Sequence, residues 1–208
     1  MASWSERDYG GSFHTDAEDV LDLDDERVEA ITTTVGDPIF LPAGRRQVLE
    51  GTHRHLRRAW VSGGAFFQLY SLETDPDDDA VVPETVVSLF WDLADADDLP
   101  ADIAGCSIAW LAEGRLWPET VQQFGDALYK GLHEGGVAGE GLSREEAVEQ
   151  VNDYLEALFG ETPESELHLF GLDPGFSCWF CDGEYDIAYA IINTRDNWFG
   201  LFMATDSE

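Results

Sequence analysis

Apolar residues recur along this chain with two distinct periods. From Ser143 to Phe159 the period is helical, with Ala147, Val151, Tyr154, Leu155 and Leu158 on one stripe. Ser143 and Glu146 form a capping box, and Gly160 supplies the stop. Near the C-terminus the period is two, yet neither face is polar. In Tyr185 to Asn193, Ile187, Tyr189 and Ile191 point one way and Ala188, Ala190 and Ile192 the other. Trp198 and Phe202 oppose Phe199, Leu201 and Met203 in the same manner. A strand with two apolar faces must be covered on both. These runs, joined by Thr194 to Asn197, predict a hairpin central in the core, with helices or a second layer over each face.

The remaining segments are read by the same two periods. Asp24 to Val35 predicts a short helix stopped by Gly36, and the two prolines of PIFLPAG make the next link extended. Arg45 to Trp60 predicts a helix with Val48, Leu49, Thr52, Leu56, Ala59 and Trp60 on one stripe, although Gly51 weakens it by about 1 kcal/mol. The competing reading puts Leu56 to Val61 in a strand. Ala65 to Leu72, Glu84 to Leu93, Cys106 to Ala112, Leu167 to Leu172 and Phe176 to Cys181 read as strands. Pro118 stands where a helix over Glu119 to His133 can begin. Together these predict an α+β fold: a largely antiparallel sheet with about three helices, in one domain over residues 16–208 behind a loose tail, Met1 to Thr15.

Charge changes the picture more than length does. Of the 208 residues 43 are Asp or Glu and 11 are Lys or Arg, for a formal net charge of -32. Lys130 is the lone lysine. The acids occur in nearly every segment, among them Asp75 to Asp79, Asp92 to Asp98, Glu140 to Glu156 and Asp182 to Asp186. A mimic of nucleic acid, kept as an alternative, would concentrate its carboxylates on one segment. Even spread with almost no lysine favours a surface that stays hydrated in concentrated salt. The composition resembles that of haloarchaeal cytosolic proteins, which implies a halophilic, cytoplasmic chain. The start has no apolar signal segment and no run suits a membrane span, so no membrane partner is expected and the thiols should stay reduced.

In such a chain a cluster of positive charge stands out. RRQVLEGTHRHLRRAW, residues 45–60, holds Arg46, His53, Arg54, His55, Arg57 and Arg58. Arginine's planar fork binds phosphate or carboxylate bidentately, and at about 3 Å of Debye length in 1 M salt only such contact-range bonds count. The cluster is therefore the candidate site of a binding module with an unknown protein or nucleic-acid partner. The plain alternative has each arginine paired to a nearby carboxylate. Cys178 and Cys181 form a CxxC, a weak metal candidate because a zinc site needs a second pair and only Cys106 remains. Asp75, Asp77 and Asp79 begin like a calcium loop, but Ala80 stands where glycine is required. Glu184 and Asp186 are a bare acid/base possibility. No nucleophile-base-orienter set is visible, so no cofactor is expected, and an enzyme with an unrecognised site is the second reading.

Overall fold

The computed structural model describes residues 33–59, 64–73, 81–95, 108–135, 141–176, 180 and 186–205. Its centre is the two-faced hairpin. β5 (Ile187–Asn193) and β6 (Trp198–Thr205) pair antiparallel, with Tyr189 opposite Phe202 and Asn193 opposite Trp198. Outward from them lie β4 (Leu167–Leu172) and the edge strand β3 (Leu116–Glu119) on one side. On the other lie β2 (Gly64–Leu72) and the edge strand β1 (Val35–Ile39). All five pairings are antiparallel, and the order is β1-β2-β6-β5-β4-β3.

Both faces are covered, as two apolar faces require. Tyr189, Ile191, Phe202 and Ala204 turn toward α1 (Ala43–Ala59), α4 (Val121–Glu134) and α5 (Arg144–Phe159). Ala190, Ile192, Phe199 and Leu201 turn toward α2 (Pro83–Asp95) and the short α3 (Ile108–Ala112). Every residue of β5 and β6 is buried. The first face is the more aromatic one: Phe124, Tyr154 and Phe202 pack edge to face, with centroids 5.4–6.2 Å apart.

The caps act on α5 as its sequence predicts. Ser143 Oγ accepts from the Glu146 N–H, and the Glu146 carboxylate accepts from the Ser143 N–H. The Ser143 hydroxyl, which also donates to the Glu146 carboxylate at 2.6 Å, and then the Ser143 N–H hold that carboxyl below its usual range. A second capping box, Thr120 with Gln123, starts α4. The expected start at Pro118 is corrected: Pro118 lies in β3, where a residue without an N–H suits an edge strand.

Three other expectations change. Glu84 to Leu93 is helix, not strand. Val86, Leu89, Phe90 and Leu93 are spaced to share one helical face, and all four are buried. Pro83 and Glu84 in the first turn are helix signals that the β-branched run masks. Ile108 to Ala112 is likewise a turn and a half of helix, while Cys106 lies outside the described residues. Phe176 ends a short 3-10 turn, Pro174–Phe176, and does not open a strand. Val35 belongs to β1 because it pairs with Leu72; the rest of the helix read over Asp24 to Thr34, and the tail Met1 to Thr15, lie outside the described residues or, at Thr33 and Thr34, are not helical. No helix among the described residues is long and apolar enough to cross a membrane.

Candidate arginine face on the first helix

Helix α1 begins directly after Pro42, and the Arg46 N–H closes onto the Pro42 carbonyl at 3.0 Å. Arg57 and Arg58 sit in its last turn, where the exposed carbonyls favour positive charge. The helix divides along its length. Leu49, Thr52 and Leu56 are buried against the sheet and α5. Thr52 Oγ1 accepts from Gln150 Nε2 at 2.7 Å, which ties the two helices together. The strand alternative is thereby excluded for Leu56 to Ala59, which are helical; Trp60 and Val61 lie outside the described residues.

The opposite face carries Arg46, Arg54, Arg57 and Arg58, all exposed. At 1.5 Å per residue they span about 18 Å. Their partners are few. Arg46 meets Glu50 one turn on at 3.6 Å, an exposed pair worth a few tenths of a kcal/mol. Arg57 donates to the backbone carbonyl of Ala65 at the start of β2. Arg54 and Arg58 make no ion pair or side-chain hydrogen bond to another described residue. The pairwise matching of each arginine to a carboxylate is thus not what the described residues display.

The two histidines of the cluster part from the arginines. His53 is only 9% exposed and turns into the core. Its ring lies 5.7–5.9 Å from those of Phe67, Tyr154 and Phe202, and Nε2 is 3.2 Å from the Tyr154 hydroxyl. Burial, and secondarily the nearby Arg57 charge, lower its pKa to about 4, so at neutral pH it is an uncharged core group. Burial also pushes the Tyr154 hydroxyl up, so it stays protonated. His55 is half-buried on the other flank, where its charge is felt by Glu146 of α5.

Two hollows flank the helix, and neither is announced by the sequence. A small apolar groove of about 180 Å³ lies where β1 leaves the sheet, walled by Leu41, Leu49, Phe67 and Leu69 and rimmed by Arg46 and Glu50. Phe40 stands at its mouth, 75% exposed. A larger open cleft of about 770 Å³ lies on the other flank, between the start of α1, the end of α5 and the β5–β6 turn. One of its two arginines is already engaged there: Arg195 donates to the Glu161 carbonyl at 2.9 Å, while the Arg45 guanidinium lies close against Gly160. Segments distant in the chain meet in each hollow, two in the groove and three in the cleft, so periodicity and motif spacing could not have found them.

Cys178 and Cys181 lie outside the described residues, as do Asp75, Asp77, Asp79 and Glu184. Phe180, between the cysteines, is buried against Phe176. Asp186 accepts from the Thr205 hydroxyl at 2.6 Å, across the ends of the central hairpin. Among the described residues no three His, Cys, Asp or Glu side chains are grouped to hold a metal. No family of known proteins matches the chain, and no curated protein matches it in sequence.

Proposed function

We propose that this chain is a binding module whose arginine face on α1 takes an anionic partner, a protein or a nucleic acid. One observation carries the reading: Arg54 and Arg58 project from a rigid, well-packed helix with no carboxylate among the described residues to neutralise them, in a chain of net charge -32. Guanidinium groups held one turn apart on a helix bind an anion without reorganising the scaffold.

The test is charge reversal at the two arginines that bond to no other described residue. Each charge-assisted hydrogen bond is worth about 1.5–3 kcal/mol, so Arg54→Glu with Arg58→Glu should weaken binding to immobilised single-stranded DNA or polyglutamate at least about 100-fold. The protein should keep its fold, with its unfolding midpoint lowered only slightly because Arg58 loses its favourable place in the last turn of α1. Undiminished retention of the double variant, or no retention of the native protein on either matrix, defeats the reading.

The acidic surplus is proposed to serve hydration in a salt-rich cytoplasm of haloarchaeal type, and not partner choice. Its support is the even spread of carboxylates along the chain. Like charges at this density repel unless screened, and the Debye length falls from about 10 Å at 0.1 M to about 3 Å at 1 M. The thermal midpoint should therefore climb steeply as KCl is raised through that range. A midpoint indifferent to salt would assign the surplus another task.

A further inference from the structure

Strand β2 is longer than the strand beside it. β1 pairs with it from Val35–Leu72 to Ile39–Leu69 and then turns away into α1. From Gly64 to Gln68, β2 has no strand on its outer side among the described residues, while its inner side pairs with β6 without a break.

The hydrogen-bonding side of each residue follows from the pairing. Successive residues of a strand turn their N–H and C=O to opposite edges. The Leu72 N–H points to the β6 side, onto the Asn197 carbonyl at 3.1 Å, and the Glu73 N–H points outward to the Thr34 carbonyl at 3.0 Å. Ala65, Phe67 and Leu69 therefore face outward. Two of their carbonyls already take side-chain donors, Ala65 from Arg57 and Leu69 from Gln68 Nε2 at 2.9 Å. The Phe67 N–H and C=O and the Ala65 N–H are left without a partner among the described residues. Unpaired strand edges of this kind are templates for another strand.

The setting of this edge selects its occupant. The edge-ward stripe of α1 runs alongside it: Arg57 reaches it at Ala65, and Arg46 rims the apolar groove at Gln68 and Leu69. Five strand residues cover about 17 Å, close to the span of the arginine face. A second copy of this chain, pairing the same edge about a two-fold axis, would bring arginines against arginines. An acidic segment brings carboxylates instead, and the groove beside exposed Phe40 accepts an apolar side chain at one end.

We infer that the outer edge of β2 from Gly64 to Gln68 takes an extended acidic peptide segment of a partner protein by strand addition, with its carboxylates on the arginine face of α1 and an apolar side chain in the groove between β1 and α1. This rests on the reading of that face as the docking surface and narrows the partner to a protein. Because side chains alternate along a strand, the residues facing α1 are every second one: an apolar residue, then acids at alternate positions.

A capped synthetic peptide with Leu, Asp and Asp at alternate positions and Thr between them, made in both chain directions, is the probe. One direction should bind, slow the amide exchange of Ala65 and Phe67, and lose at least tenfold in affinity when its backbone is N-methylated. Binding should also be lost in Arg54→Glu with Arg58→Glu. Peptide binding that needs the arginines but ignores N-methylation, and leaves the Phe67 amide exchanging as before, overturns strand addition and keeps the arginine face. Arginine-dependent binding of a single-stranded oligonucleotide with none of either peptide overturns the choice of a protein partner. If neither probe binds, both this inference and the arginine-face reading fall.

Discussion

Phe202→Ala is expected to cost about 3–5 kcal/mol, the usual loss on emptying a fully buried aromatic position. Phe202 is fully buried on β6, in the middle of the sheet, and its ring is the meeting point of three helices. It lies 5.4 Å from Phe124 of α4, 6.0 Å from Tyr154 of α5 and 5.7 Å from His53 of α1. Truncation leaves a cavity that none of the three can fill alone, since each is held by other contacts, and it removes aromatic pairs worth about 0.5–1.5 kcal/mol apiece. Phe202→Leu keeps most of the volume and should cost clearly less. Urea unfolding in concentrated KCl reads both. A loss below about 1 kcal/mol for the alanine variant, far short of the usual cost of such a cavity, would show that the helices are not assembled around this ring.

The second large effect is acid lability from His53. In the unfolded chain this imidazole titrates near 6.5; in the native state it titrates at about 4, because the charged form is driven out by burial and repelled by Arg57. Between those values the unfolded state binds a proton that the native state refuses. Stability is therefore complete above pH 6.5, falls as the pH drops from 6.5 to 4, and shows no further dependence on this group below 4. A gap of this width corresponds to about 3 kcal/mol. Glu146, whose carboxyl is held low by Ser143, adds loss in the same direction at lower pH. The sharpest control is His53→Gln, which keeps an amide to meet the Tyr154 hydroxyl but cannot titrate. It should be less stable at neutral pH and should lack the slope between 6.5 and 4. An unchanged slope in that variant would place the acid-sensitive group elsewhere.

These two effects share a location, and that location bears on the proposed site. The arginine face is presented by a helix whose other side is fixed by His53, Thr52 and Leu56 in the aromatic core. Rigidity on one side of α1 is what lets the other side hold guanidinium groups at fixed spacing. Protonating His53 should therefore weaken partner binding only through loss of the fold.

Much of the local order is legible in the amino-acid sequence by itself. Ser143, Glu146 and Gly160 mark α5 because capping is chemistry between residues a few positions apart. Ile187 to Ile192 and Phe199 to Met203 announce a central hairpin because no other place in a fold covers both sides of a strand. The split of α1 into an apolar stripe and an arginine face is likewise written in its own spacing. Glu84 to Leu93 is ambiguous on that level. Val86, Leu89, Phe90 and Leu93 suit a helix, while the β-branched and aromatic run suits a strand; the need to cover the sheet's second face decided for the helix. Only tertiary structure separated His53 from the arginines beside it in the chain, since a residue's neighbours in space come from other helices. The same holds for the open edge of β2 and the groove beneath Phe40, which exist because β1 ends at Ile39 while β2 continues. Local order followed from short-range bonding along the chain, and the docking surface followed from where distant segments stop.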